Sequence, residues 1–329
     1  VRSMDRSSNG QESAGATRPS ALGWPAEVLR GIAQVDFMPS ALCGLFFTAA
    51  LFAAGWRYGL YGLLGSAVAT GTAYALGLDR EAVRQGLHGY NGCLVAVGAA
   101  VFLGADRPAT VLAAVAGSVV SVIVTAALGA VLTAWHLSAL TAPFCLVASA
   151  MTAGAPAFRR LWHDAPGLAA LPVPATGATG ATEPSWEQLW HGFFADIGQI
   201  FFMPQWYVGL LFLAGLVAAD RWAGLMACAG SATALLTAWA LGSPADSVGR
   251  GLLGYSGVLV AMALSGVFVA RSVWSVAYAL VGAATATALT PALTALAAPF
   301  GGHAFTWPFV LTTLAFLAAV PAVPRLCRV

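Results

Sequence analysis

Lysine is missing from this chain, and charge of either sign is scarce. Fifteen basic residues, all arginine, stand beside thirteen acids, so charged residues make up 9% of the 329. A soluble domain carries roughly a quarter. With 59% of residues apolar, no soluble core could absorb the remainder, and the solvent around most of the chain is lipid. No run of basic residues offers a grip on nucleic acid. Cysteine is sparse too: Cys43, Cys93, Cys145, Cys228 and Cys327 are scattered without a CxxC spacing. This excludes a disulfide framework or zinc site, and the cysteines read as small buried hydrophobes.

The polar stretches mark boundaries. Residues 1–23 are rich in Ser, Gly and charge, lack the apolar centre of a signal peptide, and read as a flexible leader. Residues 155–187 run through Arg159, Arg160 and Asp164 into a Pro/Ala/Thr/Gly low-complexity segment, a linker composition. The expected organisation is therefore a first unit over 24–154 and a second over 188–329.

The two units are copies. A shift of 165 residues lays Gln34-Val35-x-Phe37-Met38-Pro39 on Gln199-Ile200-x-Phe202-Met203-Pro204. The same shift lays Gly86-Leu87-x-Gly89-Tyr90-x-Gly92-x-Leu94-Val95 on Gly251-Leu252-x-Gly254-Tyr255-x-Gly257-x-Leu259-Val260, and Thr141-x-Pro143-Phe144 on Thr306-x-Pro308-Phe309. Chance likeness between apolar segments would match Leu, Ala and Val. Here Gln, Pro, Tyr and Thr match at one constant offset, which establishes a duplication.

Apolar stretches in the first copy run over 41–54, 58–78, 90–104, 110–134 and 143–154. Only the fourth has the ~20 residues of a clean span; others are short or broken by Gly and Pro. Five spans is odd, so the second copy inserts upside down. Matching interrupted segments in two inverted halves point to a central site. The expected fold is all-α and integral to the membrane: ten transmembrane helices plus two re-entrant half-helices around a pore. With the N-terminus inside, ten arginines fall on the cytoplasmic side and five (Arg57, Arg107, Arg159, Arg160 and Arg250) outside, so both termini are expected in the cytoplasm. The lysine-free, Ala- and Gly-rich composition points to a GC-rich bacterial source.

The duplicated polar residues are neutral: Gln34, Gln199, Thr141 and Thr306, beside the rings of Phe37, Phe202, Tyr90 and Tyr255. No carboxylate pair, His cluster or Ser-His-Asp order recurs. His88, His136 and His303 have no His at the matching position. An ion-coupled carrier buries charges as relays, and Asp36 is the one acid beside the repeated motif that could serve. Its ordinary role is to pair with Arg30, while Asp196 is expected at the membrane edge. An enzyme would need a nucleophile with a base, so none is expected, nor a cofactor or metal. Neutral acceptors and flat rings suit a small, planar, uncharged, polar solute.

Arg30-Gly31-x-x-Gln34-Val35-x-Phe37, Gly86-Leu87-x-Gly89-Tyr90-Asn91-Gly92-x-Leu94-Val95 and Leu140-Thr141-x-Pro143-Phe144, each with its second copy, resemble the urea transporter family over about residues 29–320. The resemblance implies an inverted-repeat homotrimer in lipid, each subunit with its own pore passing urea down its gradient. By resemblance, Phe37 and Phe202, with Tyr90 and Tyr255, wall the aromatic slots. Leu94, Leu259 and Ile200 narrow the middle, Gln34 and Gln199 meet the solute, and Thr141 and Thr306 accept hydrogen bonds near the midplane. Met38 and Met203 stand where the family has Asn before the proline, and Ser256 where Asn91 keeps it. Those changes leave open another small neutral solute: a short amide, ammonia or water.

Overall fold

The computed structural model describes residues 23–158, 160–161 and 183–329, with the backbone alone at Phe300. All but Gly23 of the expected leader, and most of the expected linker, lie outside the described residues. Among those described the chain forms fourteen α-helices joined by short turns, and its only β-pairing is the single bridge between Val269 and Arg328.

The apolar stretches became α2 (Ala41–Ala54), α3 (Trp56–Ala75), α5 (Tyr90–Leu103), α6 (Pro108–Leu132) and α7 (Ala142–Gly154). The approach helix α1 (Gly23–Ala33) and the short α4 (Arg80–Arg84) complete the first half. The second half holds α8 (Trp186–Gly198), α9 (Trp206–Ala219), α10 (Arg221–Ala240), α11 (Ala245–Gly249), α12 (Tyr255–Met262), α13 (Val273–Ala297) and α14 (Trp307–Ala319). Both ends of α9, α10, α11, α13 and α14 fall 165 residues after their counterparts, the offset that separates Thr141 from Thr306. The match fails at α12, which gives way to a π-type turn over Ala263–Val267 where Ser265 and Gly266 leave helical geometry.

Three helices are long and apolar enough to cross a membrane, running over Pro108–Trp135, Arg221–Ala240 and Val273–Ala297. Two bent pairs, Gly23–Asp36 with Ala41–Ala54 and Trp186–Phe201 with Trp206–Ala219, reach the same standard together, broken by 78° and 74°. The other apolar helices, α5, α7, α12 and α14, are shorter than a full span, so length and composition alone account for three to five crossings.

Each bend has the same cause. A one-turn 3₁₀ segment ends on Phe37 (φ 64°) or Phe202 (φ 65°), each bonding back to the preceding Gln carbonyl. Pro39 and Pro204 follow at one residue's remove, where the missing N–H and the ring forbid continuation. A bulky residue at positive φ costs about 1–3 kcal/mol and survives only where its surroundings demand it. The other non-glycine residues of this kind obey the repeat as well: Leu140 (φ 49°) matches Phe305 (φ 42°), and His136 (φ 53°) matches Gly301 (φ 65°).

One apolar core runs through both halves. At its seam α2 meets α9, where Phe201 stacks on Phe212 at 4.7 Å and Phe47 meets both edge-on at 5.6 and 4.8 Å. Three of the five cysteines, Cys43, Cys93 and Cys145, are buried as expected, whereas Cys228 is half-buried and Cys327 exposed.

Candidate functional site

The breaks in the two bent pairs carry the glutamines. Gln34 and Gln199 each open a 3₁₀ turn, which aims the side chain at the loop after α4 or α11. Gln34 Nε2 donates to Gln85 O at 2.8 Å, and Gln199 Nε2 donates to Arg250 O at 2.9 Å. The amide nitrogens are thereby fixed, and each Oε1, which accepts from no described residue, is held as an acceptor. The structure keeps the two glutamines in separate halves.

Tyr90 and Tyr255 begin α5 and α12. Their hydroxyls donate to Leu140 O at 2.7 Å and Phe305 O at 2.5 Å, the carbonyls of two of the strained residues. These bonds set the turns that present Thr141 and Thr306. Because each threonine precedes an X-Pro at a helix start, its hydroxyl would ordinarily be expected to cap the helix. Neither does. Instead Thr141 Oγ1 and Thr306 Oγ1 lie 2.6 Å apart, bonded to each other across the two halves.

Cys145, one turn beyond Thr141, places Sγ 3.1 Å from Thr306 Oγ1. Its i, i+4 relation to Thr141 puts it on the same helix face. That spacing was the signal available for it, though its counterpart is Val310 and the repeat hides it. Asn91, named in the sequence motif but not as a site residue, is a second polar group beside the Leu140 carbonyl. Its amide spans from Thr125 Oγ1 at 3.2 Å to Leu140 O at 3.4 Å, and its Oδ1 accepts Phe144 N at 3.2 Å, tying α5, α6 and α7. Ser256, its shorter counterpart, leaves its hydroxyl buried without a partner.

Leu94, Leu259 and Ile200 are fully buried, and the rings of Phe37, Tyr90, Phe202 and Tyr255 pack half-buried against the same core. Among the described residues Phe37 lies 6.1 Å from Phe309, and Phe202 lies 5.8 Å from the matching Phe144. Phe268 flanks Phe37 at 5.9 Å, and Phe102 flanks Phe202 at 5.5 Å. These two occupy non-matching positions, so the repeat could not single them out.

Two aspartates are buried in the helical body. Arg30 donates to Arg84 O at 3.1 Å rather than to Asp36. Asp36 is wholly buried, and neither of its oxygens has a partner. Its reach to Arg30 fails because it closes the 3₁₀ turn rather than continuing the helix of Arg30, and Phe201 occupies the matching place in the second half. Asp196 is buried and accepts from Ser231 Oγ at 3.0 Å. An unmatched buried polar group costs about 1–3 kcal/mol, and more if charged. Asp36→Leu, which keeps the branching without the oxygens, is therefore expected to raise stability by about 1–3 kcal/mol, read as a higher unfolding temperature in detergent. A lower one would mean that Asp36 has a partner.

The site is an uncharged seam of amide oxygens, hydroxyls and backbone carbonyls lined by rings, inside an apolar helical body. Fold and site together define an integral membrane protein with a neutral hydrogen-bonding centre.

Comparison with known proteins makes the class specific. The family model described as "Urea transporter" matches residues 26–321. Similar proteins include "Urea transporter 1" of Ovis aries, 28% identical over 320 residues, covering 94% of this chain and 81% of the relative. The protein of the same name from Rattus norvegicus is 28% identical over 313 residues with the same coverage. The chain belongs to the urea transporter family.

Proposed function

We propose that this protein is a passive urea channel of the cytoplasmic membrane, whose path runs past Gln34, Phe37, Tyr90, Leu94, Thr141, Gln199, Ile200, Phe202, Tyr255, Leu259 and Thr306. In this reading the units 24–154 and 188–329, joined by the 155–187 linker, are inverted five-span repeats. Together they make ten crossings, with α1 and α8 as the re-entrant half-helices and both termini in the cytoplasm. The working form is a homotrimer in lipid, one pore per subunit, from a bacterial source. Five apolar helices per half support the inversion, since an odd number of crossings turns the second copy over.

The observation that carries the function is the identical bonding of the two glutamines. Taking an unpaired amide out of water costs on the order of 4–8 kcal/mol in a medium without hydrogen bonds. A urea pore must therefore supply acceptors to the solute's N–H groups. Gln34 and Gln199 each commit their donor to a fixed carbonyl, which leaves two prepositioned acceptors and no competing charge. Flat rings beside them suit a planar solute and give a hydrated ion nothing in exchange for its water.

Radiolabelled urea uptake into liposomes, with no ion gradient, tests this. Fast wild-type flux is expected, with a loss on the order of 10–100-fold in a Gln34→Ala/Gln199→Ala double variant, from two hydrogen bonds of about 1 kcal/mol each. Wild-type flux no higher than in empty liposomes would remove urea as the solute. Flux that required a proton or sodium gradient would make the protein a carrier instead.

A further inference from the structure

The two ends of this seam share a backbone plan and differ in side chains. Beyond Phe202, Phe102 sits 5.5 Å away and lies against His303 at 4.2 Å. Beyond Phe37 there is an open recess of about 340 Å³, walled by Phe37, Ser40, Asp220, Trp222, Ser265 and Arg271. The residues that match Asp220, Trp222 and Arg271 in the first half are Gly55, Arg57 and Asp106. The mouths therefore differ in how charge is held: the Asp220–Arg271 pair on Trp222 belongs to one, while Arg57 and Asp106 carry the charges at the matching positions of the other.

The Asp220–Arg271 pair is held rigidly. Asp220 caps α10, its Oδ1 accepting Trp222 N at 2.9 Å, while its Oδ2 takes Nη2 of Arg271. The guanidinium lies over the Trp222 ring at 5.5 Å. The indole N–H is itself fixed, donating to Ser265 O at 2.9 Å. Gly266, at φ 113°, passes so close that a Cβ there would fall 2.9 Å from the indole and 3.2 Å from Arg271 Nε. Backbone, ring and carboxylate thus constrain Arg271, while its Nε and Nη1 donate to no described residue.

A guanidinium fixed with N–H groups to spare presents a planar fork of donors. Placed on an aromatic-walled recess, it suits a carbonyl oxygen on a flat molecule. Its charge is matched by Asp220, so the recess has no strong preference for ions. Resting on the channel reading above, we infer that the Phe37 mouth holds a capture site for the carbonyl of planar, uncharged amides. Arg271 donates to the oxygen, and Asp220 and Trp222 position Arg271. Urea is gathered there before it reaches Phe37, and the recess also accommodates a substituted urea that carries a ring.

The test uses full-length protein in liposomes and in detergent, with phenylurea as the probe. Phenylurea is expected to block urea flux when added at one face and to be at least several-fold weaker at the other. It should also raise the unfolding temperature of the wild type. Arg271→Gln is expected to raise the half-saturating urea concentration about 3–10-fold, leave the maximal rate within twofold, and abolish both phenylurea effects. Arg271→Lys, which keeps the charge and loses the fork, should behave like the Gln variant. Equal block from both faces overturns the site, as does an Arg271→Gln protein with wild-type half-saturation and phenylurea response. The one-sided block is measured on the wild type, so it decides even if the variants fold poorly. If the wild type passes no urea, the channel reading fails by itself. The phenylurea temperature shift, present in wild type and absent in Arg271→Gln, then still decides whether the recess binds amides.

Discussion

A methyl group added at Gly209, or at its counterpart Gly44, is expected to leave little folded protein. The Cβ of Gly209→Ala would land 1.8 Å from the carbonyl oxygen of Phe194, and that of Gly44→Ala 2.0 Å from the carbonyl oxygen of Leu29. Both obstacles are backbone atoms, which cannot swing aside as a side chain tip can. To reach an ordinary contact, α9 would have to move away from α8, or α2 from α1, by more than an ångström. Overpacking a core costs about 1–3 kcal/mol where side chains can adjust, and here the cost should exceed that range. The displaced helices end on the turns bearing Gln34 and Gln199, so any protein that survives should also lose flux. Gly71 and Gly129 are the controls: a Cβ there meets nothing within 4 Å. Alanine at those helical positions should be neutral or stabilising by up to ~1 kcal/mol. The monodisperse fraction in detergent and its unfolding temperature separate the two classes. Gly209→Ala protein with wild-type yield and stability would mean that the helices are not packed this closely.

These glycines show what kind of information the sequence carried. Gly44 and Gly209 lie 165 residues apart in the sequence, the offset that also relates Gln34, Tyr90 and Thr141 to their partners, and polar and small residues at a constant offset cannot arise from hydrophobicity. The ends of the apolar stretches lay within three residues of the helix ends, since lipid-facing helices announce themselves by composition. Side-chain direction was not legible. Nothing in Gln-x-x-Phe says that the phenylalanine takes a left-handed conformation, which composition would assign to glycine. The pairing of Asp36 with Arg30 failed for a related reason: spacing on an ideal helix was applied to a segment that tightens into a 3₁₀ turn before its last residue. What differs between the halves was hidden by the method that found their likeness. Cys145, Phe102, Phe268 and the Asp220–Arg271 pair meet unlike residues at the matching positions, and Asn91 stands opposite a serine.

Replacing both central hydroxyls, Thr141→Val with Thr306→Val, is expected to reduce urea flux by about 30-fold to 10⁴-fold while barely changing stability. The two oxygens bond each other at 2.6 Å and are almost fully buried, so on the proposed path a passing solute must part them. With threonine present this is an exchange, each hydroxyl giving up its partner for an N–H or carbonyl of the solute. Valine keeps the shape and offers no bond, leaving two solute groups unmatched at about 1–3 kcal/mol each, where 1.4 kcal/mol is tenfold. For the folded protein, removing both members of a buried hydrogen bond together is close to neutral. The single variants should separate. In Thr141→Val the Thr306 hydroxyl still has Cys145 Sγ at 3.1 Å. In Thr306→Val both the Thr141 hydroxyl and Cys145 Sγ lose the hydroxyl they share, so this variant should unfold at the lower temperature by the equivalent of about 1 kcal/mol. Stopped-flow urea efflux and thermal unfolding on all three variants read both quantities. A double variant that conducts like wild type would place the path elsewhere, and equal stability of the two single variants would remove Cys145 from the central cluster.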